Sequence, residues 1–194
     1  MTGNQTLGRG VDHDSYPDDY IRDILGDVKT IAMVGASANR VRPSYFAMKY
    51  LLAKGYRVVP VNPGQTGKQI LGQTVYARLA DIPFAVDMVD VFRASDAVPG
   101  VVEEALALTP PPRVIWMQLG VRHDAAAKRA EEAGLKVVMN RCAKIEYGRL
   151  SGEIGWAGVN TGQLRSNRPQ LAGHGVQHLS MRSGPRRVKQ EGES

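Results

Sequence analysis

Five short apolar runs recur along the first three quarters of the chain. They lie at residues 30–34, 56–61, 85–92, 114–117 and 136–139. Within each run the apolar residues are nearly continuous and do not alternate with polar ones. Such runs are typical of strands that are buried on both faces of a parallel sheet.

The segments around these runs carry apolar residues at helical spacing, and several end in a glycine such as Gly55 or Gly134. They predict helices over residues 17–26, 44–54, 96–108, 123–133 and 142–149, and a helical or turn segment near residues 75–80. Strands that alternate with helices indicate right-handed crossovers. The pattern therefore predicts an α/β fold, a Rossmann-like doubly wound parallel five-stranded sheet with helices on both faces.

Composition divides the chain into four parts. We interpret the polar residues 1–16 as a flexible leader, and residues 17–150 hold the alternating pattern. Residues 151–160 are rich in glycine, and we expect Trp156 to pack this extension against the domain. Residues 161–194 are basic and poor in apolar side chains, so they bury too little surface to offset the entropy of ordering. We expect this tail to be disordered.

A glycine turn and a helix start follow the first apolar run directly. Gly35 ends the run, Arg40 and Arg42 follow, and Pro43 with Ser44 begins the next helix. In an open α/β sheet, backbone N–H groups and a helix dipole meet a phosphate at such a turn. Guanidinium groups bind phosphate through paired hydrogen bonds. The loop of residues 35–44 therefore predicts the phosphate site of a nucleotide-containing ligand.

The other strand ends carry amide, hydroxyl and guanidinium groups and few candidate acids or bases. With the loop, this set comprises Ser37, Asn39, Arg40, Arg42, Ser44, Asn62, Arg93, Ser95, Gln118, Asn140 and Arg141. Ligands of open parallel sheets bind beyond the carboxyl ends of the strands. The set therefore indicates a site for a polar, phosphorylated ligand, and it predicts neither a catalytic group nor a metal site.

Two common nucleotide sites do not fit this loop. A dinucleotide fingerprint needs further glycines, but the next glycine after Gly35 is Gly55. The second run ends at Asn62 and Pro63, with no carboxylate to bind a ribose. Residues 67–69 lack the hydroxyl and the upstream spacing of a Walker loop. The sequence therefore argues against a standard NAD site and against simple nucleoside triphosphate hydrolysis.

The net charge of +6 comes largely from the tail, where residues 161–194 hold six basic and two acidic side chains. The remainder is only mildly basic, which argues against nucleic acid as a partner. The sequence has no apolar stretch of ~18 residues to span a membrane and no signal-peptide core. The single cysteine, Cys142, fits a reducing compartment. We expect a cytoplasmic protein.

Five motifs stand in order along residues 18–150. They are residues 34–37 with 42–45, residues 56–63, residues 89–93, residues 116–122 and residues 138–146. Together they resemble the small CoA-binding proteins, a family similar to the N-terminal domain of the succinyl-CoA synthetase α subunit. The number and order of the motifs make the resemblance specific.

The resemblance implies a Rossmann-type fold that binds coenzyme A (CoA), with residues 35–44 on the phosphates. The implied binding residues are Gly35, Ala36, Ser37, Asn39, Arg40, Arg42, Pro43, Ser44, Asn62, Pro63, Phe92, Arg93, Gln118, Gly120 and Asn140. Two positions depart from the family, since Arg40 stands where relatives often carry proline and Tyr147 where they often carry histidine. We expect no counterpart of the synthetase domain with the phosphorylated histidine, so ligase chemistry is not carried over.

We therefore predict a non-catalytic protein that binds CoA or an acyl-CoA as a carrier, a sensor or a partner-dependent module, with a homo-oligomer as one possibility. Two alternatives stay open. One is an NAD(P)- or acyl-CoA-dependent enzyme that uses Cys142 or a partner subunit, although a lone cysteine after a buried strand is more often a packed hydrophobe. The other is a protein whose basic tail binds nucleic acid or another acidic partner. His123 is interpreted as a surface or capping residue.

Overall fold

The computed structural model describes residues 11–152 of the chain. In chain order the elements of this range are α1 (Asp18–Asp27), β1 (Thr30–Val34), α2 (Pro43–Ala53), β2 (Arg57–Val61), β3 (Gln69–Ile70), β4 (Gln73–Thr74), β5 (Met88–Val91), α3 (Val98–Leu106), β6 (Val114–Met117), α4 (Asp124–Glu132), β7 (Lys136–Val138) and α5 (Ala143–Leu150). Single 3-10 turns occur at Pro63–Gln65, Leu79–Asp81 and Ser95–Ala97. The predicted bounds of β1 and β6 agree with the structure residue for residue.

Five strands form one parallel sheet in the order β2-β1-β5-β6-β7. This confirms the predicted Rossmann-like sheet. The chain runs outward from β1 to β2 and then returns past β1 to β5, so the strand order reverses between β1 and β5. Where the order reverses, the connections after the two strands leave on opposite faces of the sheet, and a crevice opens between them.

Helices cover both faces of the sheet, as predicted. On one face α1, α2 and α5 pack through buried side chains such as Ile24 and Leu51 against Met33 and Trp116 of the sheet. On the other face α3 and α4 pack through residues such as Val102. Because both faces are covered, strand side chains of either orientation are buried, and the strands read as continuous apolar runs.

The connection between β2 and β5 differs from the prediction. Strands β3 and β4 form an antiparallel hairpin that the apolar pattern did not reveal. Each strand is only two residues long, which is too short to show a period of two. The hairpin turns at Leu71 and Gly72, whose φ angles are 51° and 77°. The predicted helical or turn segment near residues 75–80 appears as the 3-10 turn at Leu79–Asp81.

The two ends of the described range border on segments for which the sequence made predictions. Residues 11–16, assigned to the leader, contact the domain: the Tyr16 hydroxyl accepts a hydrogen bond from the backbone N–H of Met139 at 2.7 Å. Arg141 donates to the carbonyl oxygen of Asp14 at 3.1 Å. The extension with Trp156 and the basic tail lie outside the described residues. Within residues 11–152 no helix is both long enough and apolar enough to cross a bilayer.

Candidate functional site

A cleft of about 790 Å³ opens at the carboxyl ends of β1, β5 and β6, against the first turns of α2 and α5. We call it the switch-point cleft, because it lies at the reversal of strand order between β1 and β5. Eight of the predicted binding residues line it: Gly35, Ser37, Arg42, Pro43, Ser44, Phe92, Arg93 and Gln118. The strand-end analysis and the family resemblance thus named residues that the structure brings together in one cleft, and their contact with a ligand stays a prediction.

Gly35 lets the loop after β1 pass close to the loop after β5. Its φ of 89° lies in the left-handed region, and its N–H donates to the carbonyl oxygen of Val61 at 2.9 Å. A Cβ at this position would lie 2.8 Å from the carbonyl oxygen of Phe92 and 3.1 Å from Cδ of Arg93. Both conformation and close approach therefore require glycine here.

Side-chain amides brace the loop of residues 35–44 against the loop after β2. Asn62 donates to the carbonyl oxygen of Ala36 at 2.8 Å and accepts from the N–H of Gly64 at 2.9 Å. Gln65 Oε1 accepts from the N–H of Ala38 at 3.2 Å. The amide of Asn62 is thus engaged within the protein, and any contact between this residue and a ligand stays a prediction.

Internal hydrogen bonds use part of the donor capacity of this loop. Asn39 donates to Ser37 Oγ, and its own Oδ1 and carbonyl oxygen accept from the N–H groups of Val41 and Arg42. Among the described residues, the N–H groups of Ala36, Ser37 and Arg40 have no acceptor. These backbone donors, next to the N-terminus of α2, are the ones available for an anion.

Three cationic side chains line the switch-point cleft, and no acidic side chain does. They are Arg42 before α2, Arg93 after β5 and Lys144 in the first turn of α5. In the part of the chain that the structure describes, none of the three forms an ion pair. Their positive charge adds to that of the helix N-termini, so the cleft favours an anionic ligand.

A buried polar pair joins the lining of the cleft to the strand beneath it. Gln118, only 4% exposed, donates through Nε2 to Oδ1 and Oδ2 of Asp90 at 2.8 and 3.1 Å. Asp90 is fully buried in β5. Burial raises the pKa of the Asp90 carboxyl to about 7, although the hydrogen bond from Gln118 acts in the opposite direction. This carboxyl therefore changes charge near neutral pH.

The thiol of Cys142 lies in the wall of the cleft at the start of α5. Burial raises the pKa of this thiol above its ordinary value, and the nearby Asp90 carboxylate acts in the same direction. Because the thiolate is the reactive form of cysteine, a raised pKa weakens Cys142 as a nucleophile. The Cys142 side chain is half-buried in the cleft wall.

The other predicted residues stand around the cleft and do not line it. Ala36 is buried, and Asn39 and Arg40 are exposed in the loop. Asn140 has a φ of 53° and accepts the N–H of Gly120 at 2.8 Å, so these two residues brace the turn after β6. Pro63 begins the 3-10 turn after β2.

The sequence analysis missed several residues that line the cleft, among them Phe46, Lys144 and Ile145. Each lies in the first turn of a helix and not directly after a strand. A search that extended one turn into each helix following a strand would have found them. His123, interpreted as a surface or capping residue, does cap α4, because its ring accepts the N–H of Ala126 at 3.1 Å.

Tyr147, which departs from the family pattern, lies away from the cleft. Its ring packs edge-on against Tyr50 and Tyr56, with centroids 6.0 and 5.9 Å apart. Within residues 11–152, no group of three or more His, Cys, Asp or Glu side chains is placed to hold a metal ion. The polar chemistry at the switch-point cleft is that of guanidinium, ammonium, amide and hydroxyl groups.

Comparison with known proteins links this architecture to a family. Residues 29–148 match the CoA binding domain. The uncharacterized protein YneT of Bacillus subtilis (strain 168) is 37% identical over 127 residues, which cover 66% of this chain and 91% of YneT.

Two solved structures also resemble the chain. Cell-free ID.343 from Thermus thermophilus is 40% identical with a TM-score of 0.66, and the match covers 70% of this chain and 99% of that one. A hypothetical protein from Pyrococcus horikoshii OT3 is 38% identical with a TM-score of 0.67, over 75% and 100% of the two chains. The family match contains all five parallel strands and the switch-point cleft, and the chain belongs to the CoA-binding domain family.

Proposed function

We propose that the switch-point cleft binds CoA or an acyl-CoA, with the phosphates at the loop of residues 35–44 and the pantetheine arm directed toward Gln118 and Cys142. The observation that carries this proposal is the charge of the cleft. Arg42, Arg93 and Lys144 converge there without an acidic neighbour in the lining. A ligand with several phosphate groups matches three cations and two helix N-termini.

The apolar part of the lining supports the same ligand. Phe46 and Leu119 are 51% and 45% exposed, which is unusual for side chains of this size, and both border the cleft. Exposed apolar groups in a pocket cover the apolar surface of a ligand. An adenine ring and the methyl-bearing pantetheine arm present such surface, so these two residues suit the non-phosphate parts of CoA.

A binding role without catalysis is consistent with the chemistry of the cleft. The raised pKa of Cys142 disfavours a thiolate, and Asp90 lies beneath the lining, with its carboxyl held by Gln118. We therefore infer that the protein acts as a CoA carrier, a CoA sensor or the CoA-binding module of a larger assembly.

Isothermal titration calorimetry tests the proposal directly. The full chain is titrated with CoA, acetyl-CoA, NAD, NADP and ATP, and CoA or its acetyl form is expected to bind most tightly. Arg42→Ala and Arg93→Ala should each weaken CoA binding about tenfold, which corresponds to ~1.4 kcal/mol, because each removes a cation from the cleft.

Arg22→Ala is the matched control, because Arg22 lies at the opposite end of the sheet and its loss alters the net charge equally. Its CoA affinity should stay within about twofold of the wild type. Tighter binding of NADP than of CoA, or equal losses in all three variants, would contradict the proposal. Thermal unfolding of each variant shows whether the fold is retained.

A further inference from the structure

Gln118 presents an unused hydrogen-bond acceptor to the switch-point cleft. Its Nε2 is committed to the Asp90 carboxyl, at 2.8 Å from Oδ1 and 3.1 Å from Oδ2. Its Oε1 accepts no hydrogen bond from the described residues, and this oxygen is not completely buried. Since Gln118 lines the cleft and is only 4% exposed, the open face of this oxygen is reached from the cleft.

The direction of the amide is fixed by its partner. An ionised carboxylate only accepts hydrogen bonds, so it selects the NH₂ end of the Gln118 amide and leaves the carbonyl end for the cleft. Asp90 is fully buried and makes no other side-chain hydrogen bond within residues 11–152. When Asp90 is ionised, its carboxylate therefore determines which end of the amide a ligand meets.

The charged side chains and open backbone N–H groups of the cleft supply donors. Arg42, Arg93 and Lys144 are donors only, and so are the open N–H groups of the loop after β1. Gln118 thus presents an acceptor in a cleft whose charged side chains are all donors. A group that binds beside it must itself carry a donor, and a phosphate oxygen has none to offer.

We propose that Gln118 Oε1 accepts a hydrogen bond from an amide N–H of the pantetheine arm of CoA, and that Asp90 is the positioning residue that holds the Gln118 amide in this direction. The inference rests on the proposed function and deepens it, because it assigns the cleft a second end with a different chemistry. The phosphates bind among cations at the loop of residues 35–44, and the amide-bearing arm is recognised at Gln118.

Gln118→Met and Asp90→Asn test this inference, with Gln69→Met as the matched control in the exposed strand β3. Each variant is titrated at about pH 8.5, where Asp90 is ionised, with CoA and with the adenosine bisphosphate fragment that lacks pantetheine. Gln118→Met should weaken CoA binding about tenfold and change binding of the fragment less than about twofold. Asp90→Asn, which permits either direction of the amide, should show the same selectivity with a smaller loss.

A double variant, Asp90→Leu with Gln118→Met, protects the test against misfolding. Replacing both polar partners by apolar groups avoids a buried unpaired carboxylate. Its CoA affinity should equal that of Gln118→Met, because Asp90 acts through Gln118. Thermal unfolding of all variants separates stability from affinity.

The outcomes distinguish the two proposals. Equal losses for CoA and the fragment, or no loss for CoA, would overturn the assignment of Gln118 and leave the proposed function standing. A loss that disappears when acetyl-CoA replaces CoA would overturn the amide N–H as the partner and assign the thiol. A wild-type chain that binds the fragment and CoA equally also overturns the assignment, and one that binds neither overturns the proposed function itself.

Discussion

The two ends of the parallel sheet both carry cations, but they differ in the polarity of the helices around them. At the carboxyl end, Arg42, Arg93 and Lys144 line the switch-point cleft beside the N-termini of α2 and α5. At the amino end, a pocket of about 380 Å³ is lined by Arg22, Lys29 and Lys54. There the chain presents the C-termini of α1, α2 and α5.

This difference changes what the cations do. A helix N-terminus carries a partial positive charge and a C-terminus a partial negative charge. At the amino end, the Lys29 ammonium lies 3.5 Å from the carbonyl oxygen of Gly26, where it complements the end of α1. At the carboxyl end the helix termini reinforce the cations. We therefore expect basic side chains to form an anion site in this fold only where they meet helix N-termini.

The largest expected effect tests the backbone that holds the carboxyl end together. Gly35→Ala should lower the free energy of unfolding by about 2–3 kcal/mol, because its Cβ would clash with the carbonyl oxygen of Phe92. Gly26→Ala at the amino end has open space around its Cβ and lies in α1, so it should be neutral or slightly stabilising. Urea unfolding measures both. Equal losses of unfolding free energy in the two variants would contradict the special requirement for glycine at position 35.

A second comparison uses two carboxyls near β5: Asp87, which directly precedes the strand, and Asp90, which lies within it. Asp90 has a raised pKa of about 7, caused by burial. The pKa of Asp87 is lowered, since hydrogen bonds from the N–H groups of Thr30 and Lys29, together with Arg113, outweigh partial burial. The folded state thus holds a proton on Asp90 more tightly than the unfolded state does, and a proton on Asp87 less tightly.

The two carboxyls should therefore act on stability with opposite pH dependence. The stability supplied by protonated Asp90 is lost as pH rises from about 4 to about 7. Asp90→Asn should accordingly raise the melting temperature more at pH 8 than at pH 5. The difference between the two pH values corresponds to about 2 kcal/mol in the free energy of unfolding. Asp87→Asn should lower it, and more at pH 7 than at pH 3. Thermal unfolding across pH checks both, and parallel profiles would contradict the assignment.

The smallest expected effect concerns a single lysine at each end. Lys144→Ala should weaken CoA binding about fivefold, or ~1 kcal/mol, because a single half-buried lysine at a helix N-terminus contributes modestly to anion binding. Lys29→Ala should leave the affinity within about twofold. Calorimetry at two salt concentrations sharpens the test, since the contribution of Lys144 should fall as salt screens it. A larger loss of CoA affinity in Lys29→Ala than in Lys144→Ala would contradict the assignment of the anion site to the carboxyl end.

The sequence allowed the sheet and the edge that carries the cleft to be predicted, for a simple reason. The runs of β1 and β6 are apolar throughout because both faces are covered, and Gly35 marks the turn that follows β1. These signals are local. The hairpin of β3 and β4 was missed because two-residue strands have no measurable period.

The finer organisation of the cleft depends on contacts between distant segments. Nothing near Asp90 in the sequence indicates that its partner is Gln118, 28 residues later. Asn62 and Asn140 were predicted as ligand contacts, which stays a prediction, and the structure shows that both amides also brace loops. Whether an amide faces a ligand or a neighbouring loop is decided by tertiary distances, which a linear pattern does not contain.

The braces at Asn62 and Gln65 have a thermodynamic consequence for ligand association. The loop of residues 35–44 is already tied to the loop after β2 by side-chain hydrogen bonds. The entropy cost of ordering its backbone is therefore incurred when the protein folds, and it is not incurred again when a ligand binds. The heat capacity change on binding should then follow from the surface that the ligand itself buries. A preorganised loop of this kind favours rapid ligand capture with little rearrangement of the protein.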